Sequence, residues 1–135
     1  MDPLAIVQLV LRIALAVVFA VMGVLHFVPG VARGMRAMVP ARLRPARAFL
    51  VAATGVCELA GAAGLLTPWP LLQFVTGIAL VVFLIAVFPA NAVAAADPAR
   101  FGRTAAPYVP RMLAQLALVA LVVAAVAPLT GAALL

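Results

Sequence analysis

The sequence has no lysine, one cysteine, one histidine and three acidic residues in 135. Each scarcity excludes something. A single thiol, Cys57, closes no disulfide within the chain and forms no dithiol redox pair. A lone histidine, His26, with no second histidine and no cysteine pair, makes no ligand set for a metal. Charged residues are 9% of the chain and hydrophobic ones 69%, where a soluble domain is about 25% charged and about 45–50% apolar. A chain this short leaves a large share of its surface exposed, so the apolar excess cannot be hidden inside it. That rules out a water-soluble enzyme, and the same hydrophobicity rules out disorder. There is no phosphate-binding glycine loop, no HExxH, no CxxC and no GxSxG.

What is present is apolar helix in long runs, with a mean hydropathy of +1.33. A hydrocarbon core about 30 Å thick takes about 20 helical residues per crossing. The runs predict four spans in a single domain, at about residues 4–29, 46–66, 71–95 and 110–128. The expected fold is all-α and integral to the membrane, a four-transmembrane-helix bundle. Pro29-Gly30 is expected to end the first span, and Thr67-Pro68-Trp69-Pro70 to make a tight turn after the second, with Trp69 at headgroup level. The N-terminus does not read as a secretory signal, since it lacks a basic n-region and Arg12 interrupts its apolar run.

The net charge of +6 is carried entirely by arginine. Arg33, Arg36, Arg42, Arg44 and Arg47 crowd the 30–47 connection; Arg100 and Arg103 lie in the 94–110 connection, with Arg111 just beyond. This bias predicts that both connections are cytoplasmic and both termini outside, in a bacterial inner membrane. Basic charge here is read as topology and attraction to lipid headgroups, not nucleic-acid binding, because no aromatic residues interleave it. Residues 31–39 are expected to form a short interfacial helix, with Val31, Met35, Met38 and Val39 on one side and Arg33 and Arg36 on the other.

The informative residues are the polar ones within the apolar runs, each costly unless it faces protein or water. The first span offers Gln8, Arg12 and His26 on one stripe with Phe19 and Gly23. The second offers Thr54 and Glu58, beside Gly55 and Gly61. The third offers Gln73, Thr76 and Asn91, and the fourth Arg111 and Gln115. Stripes of this kind predict four helices turning their polar faces inward. Glu58, the one acid inside a span, is expected roughly 15 Å from the arginine-rich side, near the midplane. Its candidate cationic partners are Arg12, His26 and Arg111. Cys57 points about 100° away from Glu58. Pro89 is expected to kink the third span and free a carbonyl near Ile85 for a neighbouring polar group. The resulting set of His26, Glu58, Asn91, Arg111, Gln115 and Arg12 has two readings. It is interhelical hydrogen-bonding glue, or it is a polar pocket for a headgroup, a quinone-like carbonyl or a proton.

Gly23-Val-Leu-His26-Phe27, the run from Gly55 through Glu58 and Gly61 to Leu66, Phe88-Pro89-Ala90-Asn91, and Arg111 with Gln115 together resemble the DoxX-like family of small four-helix bacterial membrane proteins. The resemblance covers nearly the whole chain. It implies a four-helix membrane bundle in which these polar positions are the intramembrane set. The family's name comes from a subunit of a thiosulfate:quinone oxidoreductase, other members are linked to redox stress, and eukaryotic relatives act as assembly chaperones.

Three functions are therefore expected in order. The first is a non-catalytic membrane subunit or assembly factor that needs no cofactor. The second is a quinone-linked redox component, with His26 or Arg111 donating to a quinone carbonyl and Glu58 handling the proton. The third is a small lipophile or proton carrier. The expected partners are the lipid bilayer, a membrane redox or assembly protein, and further copies of the chain; nucleic acid is not among them.

Overall fold

A computed structural model describes residues 2–101 and 107–128. Arg103, expected in the second basic connection, lies outside the described residues. All regular structure among the described residues is helical: α1 (Pro3–Leu25), α2 (Pro29–Ala37), a 3-10 segment (Ala41–Ala46), α3 (Arg47–Leu65), α4 (Pro70–Ala96), α5 (Pro98–Phe101) and α6 (Tyr108–Val126).

Prolines punctuate this order mainly by starting helices. Pro3, Pro29 and Pro70 each occupy the first turn of α1, α2 and α4. A missing N–H is harmless there, because the first amides of a helix have no intrahelical partner. Asp2 adds a side-chain cap, its Oδ1 accepting from the Leu4 amide at 3.2 Å. The same rule corrects the first expected boundary. α1 ends at Leu25, not near residue 29, because Pro29 opens α2 instead of closing α1. Val28, just before it, is held extended at φ −78°, ψ 118°, as the residue preceding a proline prefers. α3 begins at Arg47, preceded by the 3-10 segment in which Pro45 sits. α4 continues through Pro89 to Ala96.

The four long helices close a ring. α1 packs on α3 and α6, and α4 packs on the same two. The core runs through Leu15, Phe19, Leu65, Leu80, Leu84 and Val122. Around it the helices approach closely at small residues. A Cβ at Gly61 would stand 2.5 Å from Leu80 Cδ2, one at Gly64 would strike Thr76, and one at Gly77 would strike Val126. Close approach of this kind multiplies the dispersion contacts that hold apolar helices together when no water is expelled between them. α2 folds back on α3, joining Ala32, Val39 and Val51 in a second small cluster.

The outside is as apolar as the inside. Val10, Ile13, Val17, Val21 and Val24 form an exposed ridge on α1, and Val75, Ile78, Val82 and Ile85 another on α4. An exposed apolar area of this extent marks a surface meant for something other than water. Four helices, Pro3–Leu25, Ala41–Leu65, Pro70–Ala96 and Tyr108–Val126, are long and apolar enough to cross a membrane.

The packing makes a prediction. Leu65 is 1% exposed and Ile85 64%. Leu65→Ala should lower stability by about 2 kcal/mol through the cavity it leaves, whereas Ile85→Ala should change it by less than about 0.5 kcal/mol. Unfolding in mixed micelles, followed by circular dichroism, measures both.

Candidate functional site

The most buried ionisable pair lies where α1 crosses α3. Gly23 and Gly55 face each other at the crossing. A Cβ on Gly55 would stand 2.6 Å from His26 Cβ and 3.0 Å from the Gly23 carbonyl, and one on Gly23 2.8 Å from Leu59 Cγ. Each glycine is followed three residues later by an ionisable side chain, His26 on α1 and Glu58 on α3. Three residues is close to one helical turn, so each side chain lies near the crossing face of its own helix. They meet there: His26 Nδ1 lies 3.1 Å from Glu58 Oε2, with side chains 10% and 11% exposed.

The imidazole is oriented from a second side. Nδ1 is also 2.8 Å from the Met22 carbonyl oxygen. A carbonyl only accepts, so Nδ1 carries a hydrogen. That N–H is aimed at Met22, and Glu58 Oε2 has no directed hydrogen bond. The contact is strongest when the ring is an imidazolium and Glu58 a carboxylate. Of the three candidate partners for Glu58, His26 is the one placed against it.

The other expected site residues are engaged between helices too, at different places. On the α4–α6 side, Arg111 Nη1 donates to Asn91 Oδ1 at 2.8 Å. Nearby, Gln115 Nε2 donates to the Leu84 carbonyl. Leu84 adjoins Ile85, whose carbonyl Pro89 deprives of its usual amide donor; Gln115 thus binds one residue before it. Arg12 stands fourteen residues from His26 on α1, about 21 Å along the axis, and does not join it. Its Nη1 donates to Gln73 Oε1 at 2.5 Å, and Gln73 in turn donates to the Thr67 carbonyl in the α3–α4 turn. Gln8 completes this end by donating to the Ala124 and Ala127 carbonyls at 3.0 and 2.8 Å, where α6 runs out of amide donors. The inward polar stripes thus resolve into separate pairs, most tying neighbouring elements and one, Arg12 with Gln73, reaching across the ring from α1 to α4.

Two features were not among the expected site residues. The first is the Gly23–Gly55 crossing, whose signal was the matched Gly-x-x-His and Gly-x-x-Glu spacing. The second is a cavity of about 330 Å³ between α1, α2 and α3, lined by His26, Phe27, Arg33, Arg36 and Ala52, with Pro29 and Ala32 behind. Its arginines come from α2, whose fold-back on α3 cannot be read from periodicity alone. Cys57 is exposed on α3. Among the described residues no three His, Cys, Asp or Glu side chains gather to hold a metal.

The crossing predicts two effects on stability. Gly55→Ala should cost about 1–3 kcal/mol, because the new methyl meets backbone as well as a side chain. A double-mutant cycle on His26→Ala and Glu58→Ala should give a coupling of about 1–2 kcal/mol. Coupling indistinguishable from zero would mean that the two groups are merely adjacent.

No curated protein and no solved structure matches the chain. A family profile described as a domain of unknown function, DUF8561, matches residues 15–128. The match takes in the second half of α1 and all of α2, α3, α4 and α6, including His26, Glu58, Asn91, Arg111 and Gln115 but not Arg12. With that extent of agreement, the chain belongs to the DUF8561 family.

Proposed function

We propose that this protein is a multi-pass membrane scaffold, a non-catalytic subunit or assembly factor whose polar side chains lock four membrane-crossing helices in register. One observation carries this reading. Each of the six polar residues singled out is engaged with another helix of the bundle: His26 with Glu58, Arg111 with Asn91 and Gln115 with Leu84 between neighbours, and Arg12 with Gln73 across the ring. In an apolar surrounding such pairs specify which helices meet and at what level. The apolar outer faces are then free for lipid or for a partner's helices. The resemblance to DoxX-like proteins leads to the same architecture, and kinship with them is part of this proposal.

The arginine distribution supports an orientation. With the 30–47 and 94–110 connections in the cytoplasm and both termini outside the inner membrane, the basic residues follow the positive-inside rule. A second reading, a quinone-linked redox component, is favoured by the cavity beside His26, where a quinone carbonyl would find a donor. In that reading Glu58 takes up the proton.

Substituted-cysteine labelling tests the orientation. In a Cys57→Ser background, Asp2→Cys should react with a membrane-impermeant maleimide in intact cells and Leu43→Cys only after lysis; the reverse would invert the topology. Glu58→Gln separates the two functional readings. The scaffold role predicts unchanged quinone-dependent electron transfer and weaker retention of co-purifying membrane proteins in mild detergent. Loss of electron transfer with the helices intact would establish the redox role instead.

A further inference from the structure

The cavity at the α1–α3 crossing carries more positive charge than the fold uses. Arg33 and Arg36 are one turn apart on α2 and exposed at its mouth. Neither forms an ion pair or hydrogen bond with a described residue. The described acids are committed elsewhere: Asp2 caps α1, Asp97 accepts from the Arg100 amide in α5, and Glu58 is held by His26. No described carboxylate is left to neutralise the two guanidinium groups. His26 forms the inner wall. With Nδ1 turned to Met22 and Glu58, its Nε2 is a further donor in the imidazolium form. Phe27, half exposed, gives the cavity an apolar edge.

We propose that this cavity binds the phosphate of an anionic phospholipid headgroup. Arg33 and Arg36 hold the phosphoryl oxygens, for which the planar guanidinium fork is suited. His26 closes the site from behind, and Phe27 lies against the glycerol and the first methylenes. The volume agrees with a headgroup and not a whole lipid, being near the lower end of small-molecule sites, about 300–1,000 Å³. The location agrees as well. α2 follows the end of α1 and precedes the basic 3-10 segment, the level at which a crossing helix meets headgroups. A soluble phosphate would offer the same oxygens, but it has nothing to place on the half-exposed Phe27. The proposal rests on the membrane placement above and not on the scaffold role.

The test uses the full chain in phosphatidylcholine nanodiscs doped with phosphatidylglycerol, with bound lipid read by native mass spectrometry. The wild-type chain should retain one phosphatidylglycerol. The Arg33→Gln, Arg36→Gln double variant should weaken that retention about thirtyfold, at about 1 kcal/mol per arginine. Arg42→Gln with Arg44→Gln, on the same connection but outside the cavity, should leave it unchanged; an equal loss there would show diffuse surface attraction and overturn the site. Ala52→Phe, which fills the cavity and keeps every charge, should also expel the lipid, and retention would overturn the site. Displacement by inorganic phosphate would overturn the lipid assignment in favour of a soluble anion. A chain that stays in water without detergent would refute the membrane placement, whereas one that needs the bilayer but retains no phosphatidylglycerol refutes the cavity alone.

Discussion

Helix α1 lies against α3 because neither Gly23 nor Gly55 has a side chain where the two backbones meet. Everything notable at that end of the molecule depends on this contact. Without it, His26 and Glu58 would stand a side chain's width further apart, and the carboxylate would be buried against apolar neighbours with no cation in reach. An unpaired buried charge is among the costliest features a fold can contain. The glycines and the His26–Glu58 contact are thus one device: close approach brings the two side chains together, and their contact discourages any other register. The same crossing adjoins the cavity that His26 lines with Arg33 and Arg36.

The rest of the polar inventory works by the same logic at separate levels. Arg111 with Asn91 and Gln115 with the Leu84 carbonyl join α4 to α6. Gln8 and the Arg12–Gln73–Thr67 chain close the opposite end. A ring of four helices has four seams, and apolar contact alone distinguishes poorly between registers along a seam. Directed hydrogen bonds distinguish sharply, since a displaced donor is left unsatisfied. The chain therefore spends its few polar residues on alignment, which explains why they are dispersed along the bundle instead of gathered at one centre.

Between the anticipated elements and the observed ones, the differences share a cause. The four long helices were legible from apolar runs and from proline and glycine punctuation, because both report on the local chain. Pro29 was legible as a boundary but not in its sense. The residue that cannot continue one helix is suited to begin the next, and the choice depended on α2 finding Val51 on α3 to cover its apolar side. The helical wheel puts Arg12 on the His26 stripe, but fourteen residues of helix separate them along the axis, and Arg12 binds Gln73.

Composition and periodicity were enough to establish a helical protein with an apolar exterior and one inward polar stripe per helix, since these follow from the side chains and the 3.6-residue turn. They left open which cation faces Glu58, which polar residues form pairs, and that α2 folds over the α1–α3 crossing to bring Arg33 and Arg36 beside His26. Those outcomes depend on how far each helix slides and rotates against its neighbours. That is set by where glycines let backbones touch, a matter of contacts between segments far apart in the chain.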